Sequence, residues 1–338
     1  MPATVVVGGF YGDEGKGKIL SYLSVVDDVD LGVRGGVGPN AGHTVVFKGK
    51  EFKLRQIPSA FVNERTLLLI GPGVLINPEV LFNEIQITGT ENRIYVDKNC
   101  GIIERRHIEL DSSDSHLKGT VGTTGTGTGP ANAERVLRKL KIARDVPDLQ
   151  KYLGDVPEMV NEAVDSGKKV LIEGTQGTFL SLWHTDYYPF CTSKDTTASA
   201  ICSDVGLGPK KVDDILVIFK SYVTRVGGGP LENEYSEDEA RRLGMLEIAT
   251  VTGRKRRSAP FNFKLAKRAV MLNSATQVAI TKLDVLFPEA SGAKRYEDLP
   301  RGARDFIDKV EDELKVPVTL VGTGKDIMEI VDMRKDKL

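Results

Sequence analysis

The first chemistry in the chain lies in a glycine-rich stretch near its start. Gly12-Asp13-Glu14-Gly15-Lys16-Gly17-Lys18 follows the apolar run Thr4–Val7 and opens a segment with helical periodicity. A strand–loop–helix junction of this kind presents backbone N–H groups and a helix N-terminus, which together cradle phosphate. Gly12 to Lys18 fits the pattern of a phosphate loop, but the next residue is Ile19, where such loops carry the Ser or Thr that ligates magnesium. A metal would take its protein ligand from elsewhere, and Asp13, inside the loop, is the candidate. A carboxylate within a phosphate cradle is electrostatically costly unless it holds a metal or handles a proton. The plain alternative is a tight turn with Asp13 and Glu14 in solvent. A second glycine-rich stretch, Gly38-Pro39-Asn40-Ala41-Gly42-His43-Thr44, contains a histidine, which in such a loop is otherwise a solvated residue.

The elements that must position these groups alternate short apolar runs with longer amphipathic segments, the pattern of an α/β fold with a mostly parallel central sheet. Strands are expected at Thr4–Val7, Thr66–Ile70, Arg93–Val96, Lys169–Ile172, Ile215–Val223, Gln277–Thr281 and Val318–Val321. Helices are expected at Gly15–Val26, Pro78–Ile87, Ala131–Leu140, Leu149–Ser166, Ser236–Leu243, Phe263–Asn273 and Ala303–Leu314. Val45–Ile57 alternates around Gly49-Lys50 and reads as a hairpin. Neither repeats nor a Pro/Ser linker divide the chain, which reads as a single large domain over residues 1–338. The 35 glycines gather at strand ends, in Gly8–Gly17, Gly32–Gly42, Gly119–Gly129, Gly227–Gly229 and Gly322–Gly324. Open α/β sheets bind ligands outside the carboxyl ends of their strands, so several such loops imply more than one anionic ligand.

Composition narrows the class. With 40% hydrophobic and 28% charged residues the chain can bury a large core, which excludes disorder and small disulfide scaffolds. The balance of 46 basic against 47 acidic side chains leaves a net charge of −1, so no global field recruits nucleic acid or membrane. Cys100, Cys191 and Cys202 form no CxxC or Cys/His cluster and cannot all pair, which points to a reducing, cytoplasmic setting. No apolar run approaches the length that spans a bilayer, and the N-terminus lacks the basic start of a signal peptide.

Gly12–Lys18 followed by Gly38–Thr44 resembles the adenylosuccinate synthetase family. The resemblance continues in order through Gly122-Thr123-Thr124-Gly125, Gly129-Pro130-Ala131, Glu173-Gly174-Thr175-Gln176-Gly177-Thr178, Tyr188-Pro189, Thr192-Ser193 and Thr224-Arg225-Val226-Gly227. It ends with Thr252-Gly253-Arg254-Lys255-Arg256-Arg257 and Thr281-Lys282-Leu283-Asp284. Nearly the whole chain is covered. The chain is shorter than common members between Arg138 and Glu173 and after Asp284, and Thr126 stands where many members carry Arg.

The resemblance implies GTP-dependent ligation of L-aspartate to IMP, giving adenylosuccinate, GDP and phosphate through a 6-phosphoryl-IMP intermediate, the first committed step of AMP synthesis from IMP. It makes Asp13 the base at purine N1 and, with the Gly42 carbonyl, a ligand of one Mg²⁺ per subunit. His43 becomes the acid beside the transferring phosphoryl group, and Gln176 the amide that stabilises charge on O6. GTP is a co-substrate, met by Gly12, Asp13, Glu14, Gly15, Lys16, Gly17, Lys18, Gly42, His43, Thr44 and Arg256. Asp284 reads guanine N1–H and the 2-amino group, Lys282 and Leu283 line the base, and Gly322-Thr323-Gly324 closes its pocket. IMP falls to Asp13, Lys16, Asn40, Ala41, Gly42, His43, Thr124, Arg138, Gln176, Thr192 and Arg254. The aspartate loop is Thr250-Val251-Thr252-Gly253-Arg254-Lys255-Arg256, where guanidinium forks suit carboxylates. Arg138 is expected to serve the neighbouring subunit of a homodimer, from a helix face it shares with Arg135. His107, His116 and His184 match no catalytic position.

Two other readings use the same residues. A signalling GTPase would share the phosphate loop and Asp284, but it needs Ser or Thr at position 19 and has no use for Asp13 with His43 or for the arginine-rich loop. A nucleic-acid binder would use Arg254–Arg257, yet the chain lacks a positive field and the aromatic signature of RNA binding.

Overall fold

The computed structural model describes residues 3–248 and 253–338; Thr250, Val251 and Thr252 of the expected aspartate loop lie outside them. The first strand, β1 (Ala3–Gly8), is a run of β-branched residues buried on both sides, as a central parallel strand must be. Successive side chains leave it in opposite directions. Val5 and Val7 pack on one face with Val33, Ile172, Val217 and Phe219, beneath the helices Val156–Asp165, Ala198–Val205, Phe263–Asn273 and Arg301–Leu314. Val6 packs on the other with Leu171, Leu216 and Ile218, against Ile19, Leu20 and Leu23 of helix α1 (Lys16–Val26).

Nine further strands complete the sheet: β2 (Leu31–Arg34), β3 (Leu67–Ile70), β4 (Ile94–Asp97), β5 (Leu153–Gly154), β6 (Val170–Glu173), β7 (Asp214–Lys220), β8 (Gln277–Thr281), β9 (Val318–Gly322) and β10 (Ile330–Asp332). Their order is β10-β9-β8-β7-β1-β6-β2-β3-β4-β5. Every pair is parallel except β10 on β9, so the mostly parallel sheet expected from the alternating pattern is present. From β1 the chain runs outward through β2 to β5, returns to place β6 beside β1, and then builds β7 to β10 on the opposite side. The order reverses at β1, where a crevice opens for a ligand.

The structure corrects the sequence reading in several places, each with a local cause. Strand β2 was not anticipated, because Leu31-Gly32-Val33-Arg34 mixes a glycine and a charge into four residues. A Cβ at Gly32 would stand 2.5 Å from Ala60 Cβ, and the guanidinium of Arg34 is buried against Glu173. The strand expected over Ile215–Val223 breaks after Lys220 and resumes as Val223–Arg225, which pairs with Lys255–Ala259 in a separate sheet. The helix expected over Leu149–Ser166 starts only at Val156, where Asp155 caps the Glu158 N–H and Pro157 occupies the first turn. The helix expected to reach Leu140 runs Thr128–Val136; Arg138 lies beyond it at φ 63°, so it does not share a helix face with Arg135. Helices Arg105–Ser113 and Ala198–Val205 were not anticipated. In the hairpin His43–Phe47/Lys50–Leu54 the turn residues are Lys48-Gly49, both with positive φ, one position earlier than expected. Among the described residues no helix is long and apolar enough to cross a membrane.

Candidate active site

The loops at the carboxyl ends of the central strands surround a cavity of about 790 Å³. Its floor is the loop between β1 and α1. Gly12, Asp13 and Gly15 adopt positive φ (88°, 63° and 82°), which coils the loop so that α1 begins with no side chain capping its N-terminus. Those first-turn N–H groups are donors for an anion. Glu14 is 1% exposed and turned away from the cavity: its carboxylate accepts from the N–H of Phe10 at 3.0 Å and of Gly12 at 2.7 Å, and from Lys16 Nζ at 2.8 Å. It holds the loop's shape and is not placed to meet a phosphate. Lys18 is likewise occupied, donating to the carbonyls of Gly324 and Glu329, both at 2.7 Å, and burial pushes its ammonium down to about 8. The loop after β9 is thereby fastened to the loop after β1.

The turn after β6 packs directly on that floor. A Cβ at Gly177 would lie 2.4 Å from the Gly12 nitrogen, so only glycine allows the approach. Gln176, at φ 59°, places its Nε2 3.0 Å from Thr192 Oγ1, and Asn40 Nδ2 reaches the same hydroxyl at 3.4 Å. Thr124 continues the wall through a row of hydroxyls, 2.9 Å to Thr126 and 3.1 Å from there to Thr128. Thr126 thus braces Thr124. Arg254 reaches the Thr123 carbonyl.

His43 opens the hairpin and is buried. Its Nδ1 meets Arg34 Nη1 at 3.0 Å, Ser59 Oγ at 3.1 Å and the Glu173 carboxylate. Burial and the adjacent Arg34 guanidinium push the imidazole down to about 4, despite Glu173. Burial works against the charge of Glu173, but Arg34 and His43 outweigh it and hold the carboxyl at about 2. Neither Arg34 nor Ser59 belongs to a recognisable motif. Glu173 opens the Glu-Gly-Thr-Gln stretch, yet a strand-terminal glutamate by itself signals nothing.

Asp13 Oδ1 accepts from Arg256 Nη2 at 2.8 Å, and Arg256 Nη1 rests on Glu247. Lys282, at φ 60°, also lines the cavity, 4.0 Å from Glu247; Leu283 is fully buried in the core, and neither it nor Asp284 is among the lining residues. Thr323 is also fully buried, donating to the Ala293 carbonyl. Lys255 is exposed on Glu237 and Arg257 pairs with Glu234, so neither lines the cavity. Arg138 is exposed outside it. His107 is buried between the Glu104 N–H and the Glu134 carboxylate, and His184 stands 3.9 Å from Asp195.

One feature unites the site. Buried side-chain atoms are nearly always hydrogen-bonded, yet Asn40 Oδ1, His43 Nε2, Gln176 Oε1, Arg256 Nε and Asp284 Oδ1 are buried without partners. Five of the nine such atoms among the described residues thus lie on residues that the sequence had set apart for ligands; the other four belong to His107, Asp214, Arg225 and Ser258.

Comparison with known proteins gives a consistent answer. The profile of the family described as adenylosuccinate synthetase matches residues 5–146 and 139–289. The adenylosuccinate synthetase of Archaeoglobus fulgidus is 52% identical over 338 residues, covering all of both chains, and that of Pyrococcus horikoshii is 49% identical over 99% of each. The fold superposes on the fully ligated adenylosuccinate synthetase of Plasmodium falciparum with a TM-score of 0.91 at 24% identity, covering 98% of this chain and 100% of that one. A succinoaminodeoxyadenylate synthetase of cyanophage S-2L, bound to dGMP and dATP, gives a TM-score of 0.81 at 23% identity over 98% and 95% of the chains.

Proposed function

The chain belongs to the adenylosuccinate synthetase family, a GTP-using ligase of AMP biosynthesis that joins L-aspartate to IMP, and from that premise we propose how its residues divide the reaction. The observation that carries the assignment is the set of unpartnered buried polar atoms on Asn40, His43, Gln176, Arg256 and Asp284. Desolvated and unpaired, each costs about 1–3 kcal/mol until a ligand supplies its partner.

The 6-oxo group of IMP is a poor leaving group, so it is first made a phosphate ester. Asp13 takes the N1 proton, O6 attacks the γ-phosphorus of GTP, and GDP leaves. The aspartate amine then adds at C6 and expels phosphate. Phosphoryl transfer is governed by positioning and charge stabilisation, and the uncapped first turn of α1 with Lys16 supplies both. Gln176 is assigned to O6, donating from the Nε2 that also reaches Thr192 Oγ1. The neutral imidazole of His43 gains a proton most readily once an anionic phosphoryl group meets Nε2; Glu173 then accepts from Nδ1–H and holds the imidazolium in place. Asp284 pairs with guanine N1–H and the 2-amino group, with Lys282 along the base. Thr124, Thr192 and Asn40 hold the IMP phosphate, and Arg254 and Arg256 the aspartate.

A magnesium ion fits the donor set, since the Asp13 carboxylate and the Gly42 carbonyl are hard oxygen ligands beside a phosphate cradle, and Mg²⁺ commonly takes one or two protein oxygens with phosphates and water. When bound it neutralises the phosphates' charge. The chain is read as a cytoplasmic, single-domain subunit, in keeping with strands from both ends of the sequence sharing one sheet. The assay that tests the assignment mixes the protein with IMP, GTP, Mg²⁺ and L-aspartate and follows purine absorbance. Activity should vanish with any single omission; GTP hydrolysis independent of IMP would overturn it.

Arg138 is proposed to serve the neighbouring subunit of a homodimer. It is exposed in a left-handed turn beside Val136 and Leu137, themselves 77% and 61% exposed, an apolar pair that a second subunit would cover. Arg138→Leu should raise KM for IMP by roughly tenfold or more, the loss of a charge-assisted hydrogen bond of about 1.5–3 kcal/mol, and leave KM for aspartate nearly unchanged. Mixing it with inactive Asp13→Ala subunits should restore activity, because a mixed dimer has one site with both residues intact. Subunit exchange without recovery would show that Arg138 serves its own chain.

A further inference from the structure

Glu247 lines the cavity and has no part in the chemistry above. It lies on the short strand Glu247–Ile248, directly opposite Arg256 in the ladder with Lys255–Ala259. Its carboxylate is a hub: Lys220 Nζ donates to both oxygens at 3.1 and 3.0 Å, the Tyr222 hydroxyl donates, Arg256 Nη1 donates, and Lys282 Nζ stands 4.0 Å away. Burial opposes this charge, but Lys220, Lys282 and Arg256 hold the carboxyl well below the usual carboxylate range. The same burial lowers the Lys220 ammonium, with Glu247 acting the other way.

Arg256 therefore has two anionic partners. One edge of the guanidinium is tied to Glu247, the other meets Asp13 at 2.8 Å, and Nε is buried and unpartnered. A guanidinium released from both partners would have to search its rotamers again, whereas one tied along an edge needs only to change its second partner.

We propose that Glu247 is a positioning residue of the ligation: it holds Arg256 by one edge, so that the guanidinium can exchange Asp13 for a carboxylate of the incoming aspartate without leaving the site. Arrival of the dicarboxylate thereby replaces the Asp13–Arg256 ion pair while the Glu247–Arg256 contact stays in place. The inference rests on the reading of Arg256 as an aspartate ligand. Lys220 and Lys282 make the arrangement workable, because their charges keep the surroundings of Glu247 attractive to a second carboxylate.

The test is a double-mutant cycle read on substrate constants. Arg256→Lys alone should raise KM for aspartate; if it does not, the underlying reading of Arg256 fails, whatever Glu247 does. Glu247→Gln should raise KM for aspartate about tenfold or more and leave KM for IMP within about twofold. Added to Arg256→Lys, it should contribute less than about twofold, because the tether then has nothing to aim. A Glu247 that merely neutralises Lys220 would give effects that multiply across the cycle, or would raise both constants alike; either result overturns the proposal. If Glu247→Gln is too unstable to assay, Glu247→Gln with Lys220→Met removes the buried pair together. The aspartate-selective rise is expected there too, and its absence overturns the assignment.

Discussion

Asp13→Asn is expected to lower kcat by at least about 10²-fold while the protein unfolds at nearly its original temperature. The side chain is partly exposed and pairs with Arg256, so little packing is lost. Asparagine also tolerates the left-handed backbone at φ 63°, whereas alanine would add about 1 kcal/mol of strain and confuse the comparison. His43→Asn should cost turnover by a similar factor, but not as cleanly. His43 is buried against Arg34 and Glu173, so its loss also leaves a buried ion pair under-satisfied, at about 1–3 kcal/mol. Thermal unfolding therefore separates the two variants even where turnover does not. Near-normal turnover of Asp13→Asn would remove Asp13 from the reaction.

The second large effect is expected at Asp284. Its Oδ1 is buried and unpartnered, just after Lys282 in its left-handed turn. A carboxylate offers two acceptors to guanine N1–H and the 2-amino group; an amide offers one acceptor and a donor. Asp284→Asn should weaken GTP by about 10²-fold or more, two charge-assisted bonds of about 1.5–3 kcal/mol each being at risk. ITP, which lacks the 2-amino group, should lose less. XTP, whose 2-oxo group accepts from the new amide, should lose least or improve. KM values for the three triphosphates decide the matter, and equal losses would place the guanine reader elsewhere.

What could be read from sequence divides along physical lines. β1 and β8 are apolar runs with glycine or a small motif after them, and both lie where periodicity put them. The phosphate loop was legible because its glycines have only one economical use at a strand–helix junction. Glu14 and Lys18 show the limit: their types fit phosphate contact, but each spends its charge on backbone groups, Glu14 on the N–H of Phe10 and Gly12, Lys18 on the carbonyls of Gly324 and Glu329. Arg34 and Glu247 were invisible for a related reason. Their partners come from β6 and from an antiparallel neighbour, and tertiary register has no signature in a single run of residues.

The position of β1 also bears on how the chain is made. Its two neighbours are β6 and β7, in register with Ala3 at Val170 and with Thr4 at Asp214. At synthesis rates of about 5–20 residues per second, β1 therefore emerges from the ribosome roughly 10–40 s before its second partner exists. Until β6 follows, its run of valines has no neighbour to pair with, and the glycine-rich loop after it has neither the Gly177 turn nor the loop after β9 to brace it. The site can assemble only after most of the chain has been translated. Nascent chains halted before β6 should bind chaperones through β1 and show no affinity for GTP.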